Sequence, residues 1–396
     1  MESVGMPQEK LKVEYTHDIG VVKEAWLALE NTNSIPVYQK YDWVNQWYNH
    51  MIVKNSSNQH VQPIFLSVFR SEKVVVILPL CIIRNKGIRF LSWLADEHCN
   101  YQGALFDSDF LRGLNKSDFQ KLWLQIEGLL PKFDVLWLRN QVLNINGTES
   151  PFRWIDQHTS PNSGHQLVFK HHNWDELLIE LRSKSTRKRM RNEESRLSRE
   201  GELSWKRVSD QVEVEFYLNE LFDQREQRFK LLGIDLESNV SLYKDFYLKL
   251  LTSSVNEPTP FVYMMVVELD QFVLATMLLA ESGNMTYLLI NSMTSSKYHK
   301  WSPGDYLIRL TLQEGCMKQS ELIDFGVSED SNYKTAWCNT KLEMFETIKG
   351  QGWLGKGIAL LIRNGSLLKR KVKQSPKLWS FYCSFRSGDF RRWLKK

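Results

Sequence analysis

The chain has 396 residues, 42% of them apolar and 24% charged, with a formal net charge of +5. That balance excludes a disordered chain, and the length exceeds what one core usually holds, so two domains are expected. The longest apolar run, Val74 to Ile83, is about half of what a membrane-spanning helix needs. The N-terminus has neither the basic start nor the apolar stretch of a signal peptide, and a cytoplasmic location is expected.

In chain order, Tyr41, Trp43 and Trp47 fall on a helix predicted at 40–50; aromatic side chains suit stacking on a sugar, but most of the fourteen tryptophans are expected in the core. Strands follow at 62–69, 73–83 and 88–94, then His98-Cys-Asn-Tyr101, a helix at 116–129 and the strand Asp134 to Leu138. The stretch Arg182 to Gly201 is basic, helical in composition and stops at a glycine in the manner of a C-terminal cap. A helix from 211 carries Arg225 and Arg228. Strands at 260–268, 271–281 and 284–291 precede a helix from 304 and a strand from 321. Both halves therefore read β-β-β-α-β, each preceded by helices. A repeat of this length predicts two similar α/β domains rather than a solenoid.

The stretch Lys297-Tyr-His-Lys-Trp-Ser-Pro-Gly-Asp-Tyr-Leu-Ile-Arg309 opens the helix from 304. The first N–H groups of a helix lack intrahelical partners and carry the positive end of its dipole, which suits a phosphate. Ser302 is the expected N-cap, Pro303 suits the first helical position, and Gly304 leaves the turn without a side chain. Lys297, Lys300 and Arg309 add positive charge nearby. An ordinary Pro-Gly turn before a helix remains the alternative. The next strand leads into Ile323-Asp-Phe-Gly-Val-Ser-Glu-Asp-Ser-Asn-Tyr-Lys-Thr-Ala-Trp337.

Together, Ser-Pro-Gly, the helix, Asp-Phe-Gly, Tyr-Lys and Trp resemble the C-terminal pattern of the cellulose-biosynthesis-type acetyltransferases. These are relatives of the GNAT N-acyltransferases and of FemAB-type aminoacyltransferases. The resemblance spans roughly residues 10–350 and is specific over 285–337. It implies an α/β (α+β) fold of two tandem GNAT-like domains in a FemAB-like arrangement. The expected bounds are 1–160 for a degenerate first domain, 161–350 for an acyltransferase domain and 351–396 for a basic, aromatic-rich tail.

The resemblance also implies roles. Acetyl-CoA or another acyl-CoA would lie with its diphosphate on Ser302, Pro303 and Gly304, with Arg309 near, and its pantetheine along the strand Met285 to Asn291. Tyr333 would give a proton to the leaving thiolate, with Lys334 beside it, while Asp324 and Glu329 are the carboxylates nearest for a base. Tyr101, Arg225, Arg228 and Trp337 are the substrate-binding candidates, in a crevice between domains. The usual Gln/Arg-x-x-Gly-x-Gly phosphate loop is absent, so an acyl carrier protein or an aminoacyl-tRNA stays open as donor beside the favoured small thioester. No metal is expected: the nine histidines and five scattered cysteines show no ligand spacing.

Residues 356–396 hold twelve Lys or Arg against Asp389 alone, a local +11, so residues 1–355 sum to −6. Cations mixed with Trp379, Phe381, Tyr382, Phe385, Phe390 and Trp393 suit an anionic membrane surface, packing on the protein body or, with least weight, nucleic acid. The function expected is N-acylation of a small-molecule or saccharide amine in polysaccharide or envelope assembly. Alternatives are a FemAB-like aminoacyl transfer, acylation in a small-molecule pathway, and a nonenzymatic adaptor.

Overall fold

A computed structural model describes residues 11–32, 35–54, 60–95, 99–231, 240–255, 257, 260–328, 332–375 and 378. The chain begins with β1 (Leu11–Thr16), α1 (Lys23–Thr32) and α2 (Tyr41–Trp47), then β2 (Val61–Arg70), β3 (Lys73–Asn85), β4 (Ile88–Trp93) and β5 (Leu105–Phe106). After α3 (Ser108–Gly113) and α4 (Lys116–Leu129) come β6 (Val135–Val142), β7 (Asn144–Ile145), β8 (Thr148–Glu149), β9 (His158–Thr159) and β10 (Ser163–Val168). The helices α5 (Trp174–Leu181) and α6 (Lys184–Glu200) lead to β11 (Leu203–Arg207), followed by α7 (Gln211–Leu231) and α8 (Val240–Ser254). Next are β12 (Val262–Leu269), β13 (Phe272–Ser282), β14 (Met285–Met293), α9 (Pro303–Met317), β15 (Leu322–Ser328) and α10 (Asn332–Trp337). The chain continues through β16 (Thr340–Leu342), β17 (Met344–Gly350) and α11 (Gly352–Gln374).

Two compact units result. The first takes the chain up to Ser163 together with Glu343–Ser375, and the second takes Gly164–Leu342. Their sheets run β1-β2-β3-β4-β6-β17-β9 and β11-β12-β13-β14-β15-β10-β16. In each, three antiparallel neighbours lead to a parallel pair, β4 with β6 and β14 with β15, whose connection carries a helix as parallel pairing requires. The duplication expected from the strand pattern is thus present at the level of sheet order.

The units are not consecutive in sequence, unlike the expected cuts at 160 and 350. β17 forms an antiparallel ladder on β6, from Met344 opposite Val142 to Gly350 opposite Val135, so residues 343–350 complete the first sheet. β10 pairs with β16, Gly164 opposite Leu342, and closes the second. Nor is α11 a detached tail: Ile358, Ala359 and Ile362 pack on Val135, Trp137 and Ile348. Gly355 permits this, since a Cβ there would lie 2.0 Å from the Asp134 carbonyl oxygen.

The first core is rich in aromatics. Phe152 is buried with its ring edge-on to Trp93, Phe119 and Trp123 at 5.2, 5.4 and 5.8 Å. In the second, Leu307, Ile308 and Leu312 of α9 pack with Met190 and Leu197 of α6 in one cluster with Tyr263, Met265 and Met277. Among the described residues no helix is long and apolar enough to cross a membrane, and no group of metal-ligating side chains occurs. Phe152→Ala is expected to remove about 3–5 kcal/mol from the unfolding transition of the first unit, read by chemical denaturation followed through tryptophan fluorescence.

Candidate functional site

The second sheet divides within its parallel pair. β14 and β15 share ladder partners only at Met285–Leu322, Thr286–Ile323 and Tyr287–Asp324. Past that point β14 continues against β13 as far as Met293, with Leu289 as an extra residue in its register. β15 turns away at Gly326, whose φ of 75° is one that L side chains rarely adopt. The turn is fixed by Asp324, whose carboxylate accepts the Gly326 N–H at 2.7 Å and the Gln166 side-chain amide at 2.7 Å. Lys334 then holds the diverging segment from the other side, its Nζ donating to the Phe325 carbonyl at 2.5 Å. Beyond Tyr287, β14 presents backbone groups that no β15 residue pairs, an edge suited to another extended chain.

Asp324 and Lys334 are both buried. Burial lowers the Lys334 pKa, opposed by the neighbouring Asp324 carboxylate. The same surroundings push the Cys338 thiol up to about 12, chiefly by burial and then by Asp324, which disfavours the thiolate. Asp324 and Lys334 hold the fork; neither presents a free group to a ligand. Asp324, a base candidate expected to lie on a buried strand, is wholly enclosed there with both oxygens engaged, which suits a bridging carboxylate and not a base.

α9 begins at the fork's mouth. Pro303 stands at its first position as expected, but Ser302 has a left-handed backbone (φ 52°) and makes no side-chain cap bond. Asp305 and Tyr306 both direct their N–H groups to the Ser302 carbonyl, at 3.0 and 3.1 Å. Since Pro303 has no N–H, among the described residues this turn offers an anion only the Gly304 amide. The open side of Gly304 faces Met293, whose sulfur would lie 3.2 Å from a Cβ, so the glycine serves helix-on-strand packing. Asp305 accepts the Trp337 indole N–H at 2.9 Å.

Cationic side chains supply what the backbone does not. α6 starts at Ser183, whose hydroxyl accepts the Thr186 N–H. It buries Met190 and Leu197, seven residues apart, and turns another face outward. That outward face, Ser185, Lys188, Arg189, Asn192, Glu193 and Arg196, lines a pocket of about 410 Å³ with Lys300 and Trp301 from the turn before α9. Four cations thus surround one carboxylate, and among the described residues no ion pair engages Lys188, Arg196 or Lys300. Burial raises the Glu193 pKa against the pull of Arg189. The helix ends at Gly201 because the Asp270 carboxylate lies where a Cβ would be, rather than through a left-handed cap.

The remaining candidates fall as follows. Asn291 sits on β14 past the fork, opposite Met277. Arg309 pairs with Glu194 at 3.1 Å and ties α9 to α6, away from a phosphate role. Trp337 is wholly buried under the Arg182 guanidinium, 3.6 Å from its ring centre, so it supports the site without touching a ligand. Tyr101 is buried against Tyr38 in the first unit, and Tyr41, Trp43 and Trp47 are core residues there too. On α7, Arg225 lies over the Phe229 ring and Arg228 is exposed, while Gln227 between them accepts the Ser295 hydroxyl at 2.8 Å. Tyr333 falls on α10 with its side chain outside the described residues, as do Glu329, His98 and the aromatics from Trp379 onward. Gln166 was invisible to sequence reading, since nothing local ties β10 to Asp324.

A family model described as an acetyltransferase (GNAT) domain matches residues 184–335, from the start of α6 into α10. No curated protein matches the chain. The solved structure of FemX is 12% identical, with a TM-score of 0.56 over 88% of this chain and 100% of that one. L-PGS from Bacillus licheniformis is 10% identical over 88% and 97%, with a TM-score of 0.48. A tandem GNAT protein from the clavulanic acid biosynthesis pathway is 10% identical over 86% and 100%, with a TM-score of 0.42. The chain is a mixed α/β protein with a GNAT acetyltransferase domain in its second unit, and it shares its fold with FemX.

Asp324→Ala should strand the Gln166 amide and the Gly326 N–H in the interior and cost about 1–3 kcal/mol, whereas Asp324→Asn should cost less. Equal urea midpoints for wild type and both variants would remove the carboxylate from the fork's support.

Proposed function

We propose that this protein is an N-acyltransferase that moves an acyl group from acetyl-CoA or another acyl-CoA to an amine, and that the acceptor is an amino sugar or related saccharide precursor. The observation that carries the reading is the fork between β14 and β15. An extended thioester arm fits the unpaired β14 edge, as a strand would, and its backbone N–H groups suit a carbonyl oxygen gaining negative charge. The pocket cations Lys188, Arg189, Arg196 and Lys300 suit the phosphates of such a donor, with the Gly304 amide as a backbone contribution. The choice of an amino-sugar acceptor rests on the resemblance of the 285–337 pattern.

In the reaction, the neutral amine attacks the thioester carbonyl, the C–S bond breaks, and the thiolate takes a proton. Tyr333 is assigned as the proton donor because α10 opens immediately past the β15 end of the fork. Asp324, Lys334 and Trp337 hold the strands and α10 in position. Since Asp324, the carboxylate described at the fork, is buried and engaged, the amine is taken to react in its already neutral form and to lose its proton to water. Aminoacyl transfer is the second reading, favoured by the length of the cationic face on α6, which exceeds what one diphosphate requires.

Tyr333→Phe is expected to lower kcat by about 100-fold, the usual scale of general acid catalysis, with donor affinity by calorimetry unchanged. Unchanged turnover would make the tyrosine structural. Lys188→Glu with Arg196→Glu should instead weaken coenzyme A binding at least about tenfold, more at low salt than at high salt. Failure of the wild type to bind coenzyme A, with tRNA copurifying, would favour the second reading.

A further inference from the structure

α11 shows two apolar faces, and only one is used. Ile358, Ala359 and Ile362 lie against the first sheet, and Gly355 seats the helix so closely on the Asp134 carbonyl that this face is fixed. On the other side Trp353, Leu354, Leu360, Leu361, Leu367 and Leu368 recur in pairs seven residues apart, all exposed. Trp353 is 86% and Leu361 71% accessible, in a helix whose ionisable residues are all Lys or Arg. Scattered apolar residues on a surface need no explanation, but a stripe from Trp353 to Leu368 does.

We propose that this face of α11 rests on an anionic lipid surface. An interfacial helix combines an apolar face that enters the boundary between headgroups and acyl chains with basic residues that meet the headgroups. α11 has Trp and Leu for the first role, and Lys356 and Lys371 beside or within the stripe for the second. Residues beyond it add more cations than acids, with Asp389 the one carboxylate. The charge also argues against a second copy of the chain as the occupant: two such helices would face each other with cations and no acid to pair them, and like charges along a helical seam repel. A lipid surface supplies the missing negative charge. α11 is too polar to cross the bilayer, so it lies in the plane of the surface.

The test is flotation of the full-length protein with vesicles of phosphatidylcholine alone and with about a quarter phosphatidylglycerol, with sedimentation velocity run in parallel. Binding is expected on the anionic vesicles, weakened by salt and small on the neutral ones. Leu361→Glu with Leu368→Glu should reduce it at least about tenfold while the circular dichroism melt stays that of the wild type, since neither side chain is buried. Lys356→Glu with Lys371→Glu should reduce it with the apolar stripe intact. Absence of vesicle binding, or equal binding by wild type and both variants, overturns the proposal. So does a wild-type dimer dispersed by the leucine variant, which would make the partner a second copy.

Discussion

The carboxylate of Asp324 is the constraint on which the second unit's site depends. It lies at the last rung shared by β14 and β15, wholly buried, and its oxygens hold a backbone N–H two residues ahead and a side chain from β10. A buried carboxylate persists only where donors surround it, so its partners are fixed with it. Because one of those partners is Gly326, the bond decides where β15 parts from β14. The gap beside β14, the direction of α10 and the burial of Trp337 against Asp305 follow from that departure.

The first unit repeats the architecture without the opening. Its parallel pair, β4 and β6, meets at Phe90–Val135 and Leu91–Leu136. Beyond those rungs Ser92 bonds the Trp137 carbonyl at 3.0 Å, and the segment at Gln102 bridges to Gln141 with its N–H on the Asn140 carbonyl. Backbone groups left free in the second sheet are thus satisfied internally in the first.

Charge is arranged by helical period in both units. On α6 the buried pair Met190 and Leu197 fixes the helix rotation, which leaves Lys188, Arg189 and Arg196 on the pocket side. On α11 the isoleucines fix the rotation and leave leucines outward among lysines. The same rule therefore yields a polar, anion-attracting surface in one case and an amphipathic one in the other. Neither consequence could be assigned from composition, since both helices are simply basic.

Sequence alone determined the principal strands and the helices between them, because apolar runs and helical period are local properties, displayed by the strands from Val61 to Asn85 and from Val262 to Met293, but β1, β10, β11, β16 and β17 were not among the elements it showed. It also determined that Pro303 opens a helix and that Gly201 closes one. What it did not determine is which side of each element meets the core. Tyr101 and Trp337 were substrate-binding candidates and are interior, and Gly304 looked open and is packed on Met293. The return of β17 to the first sheet was equally hidden. Such features are decided by contacts between residues as far apart as Gln166 and Asp324, or Val135 and Gly350, and only the tertiary structure brings those together.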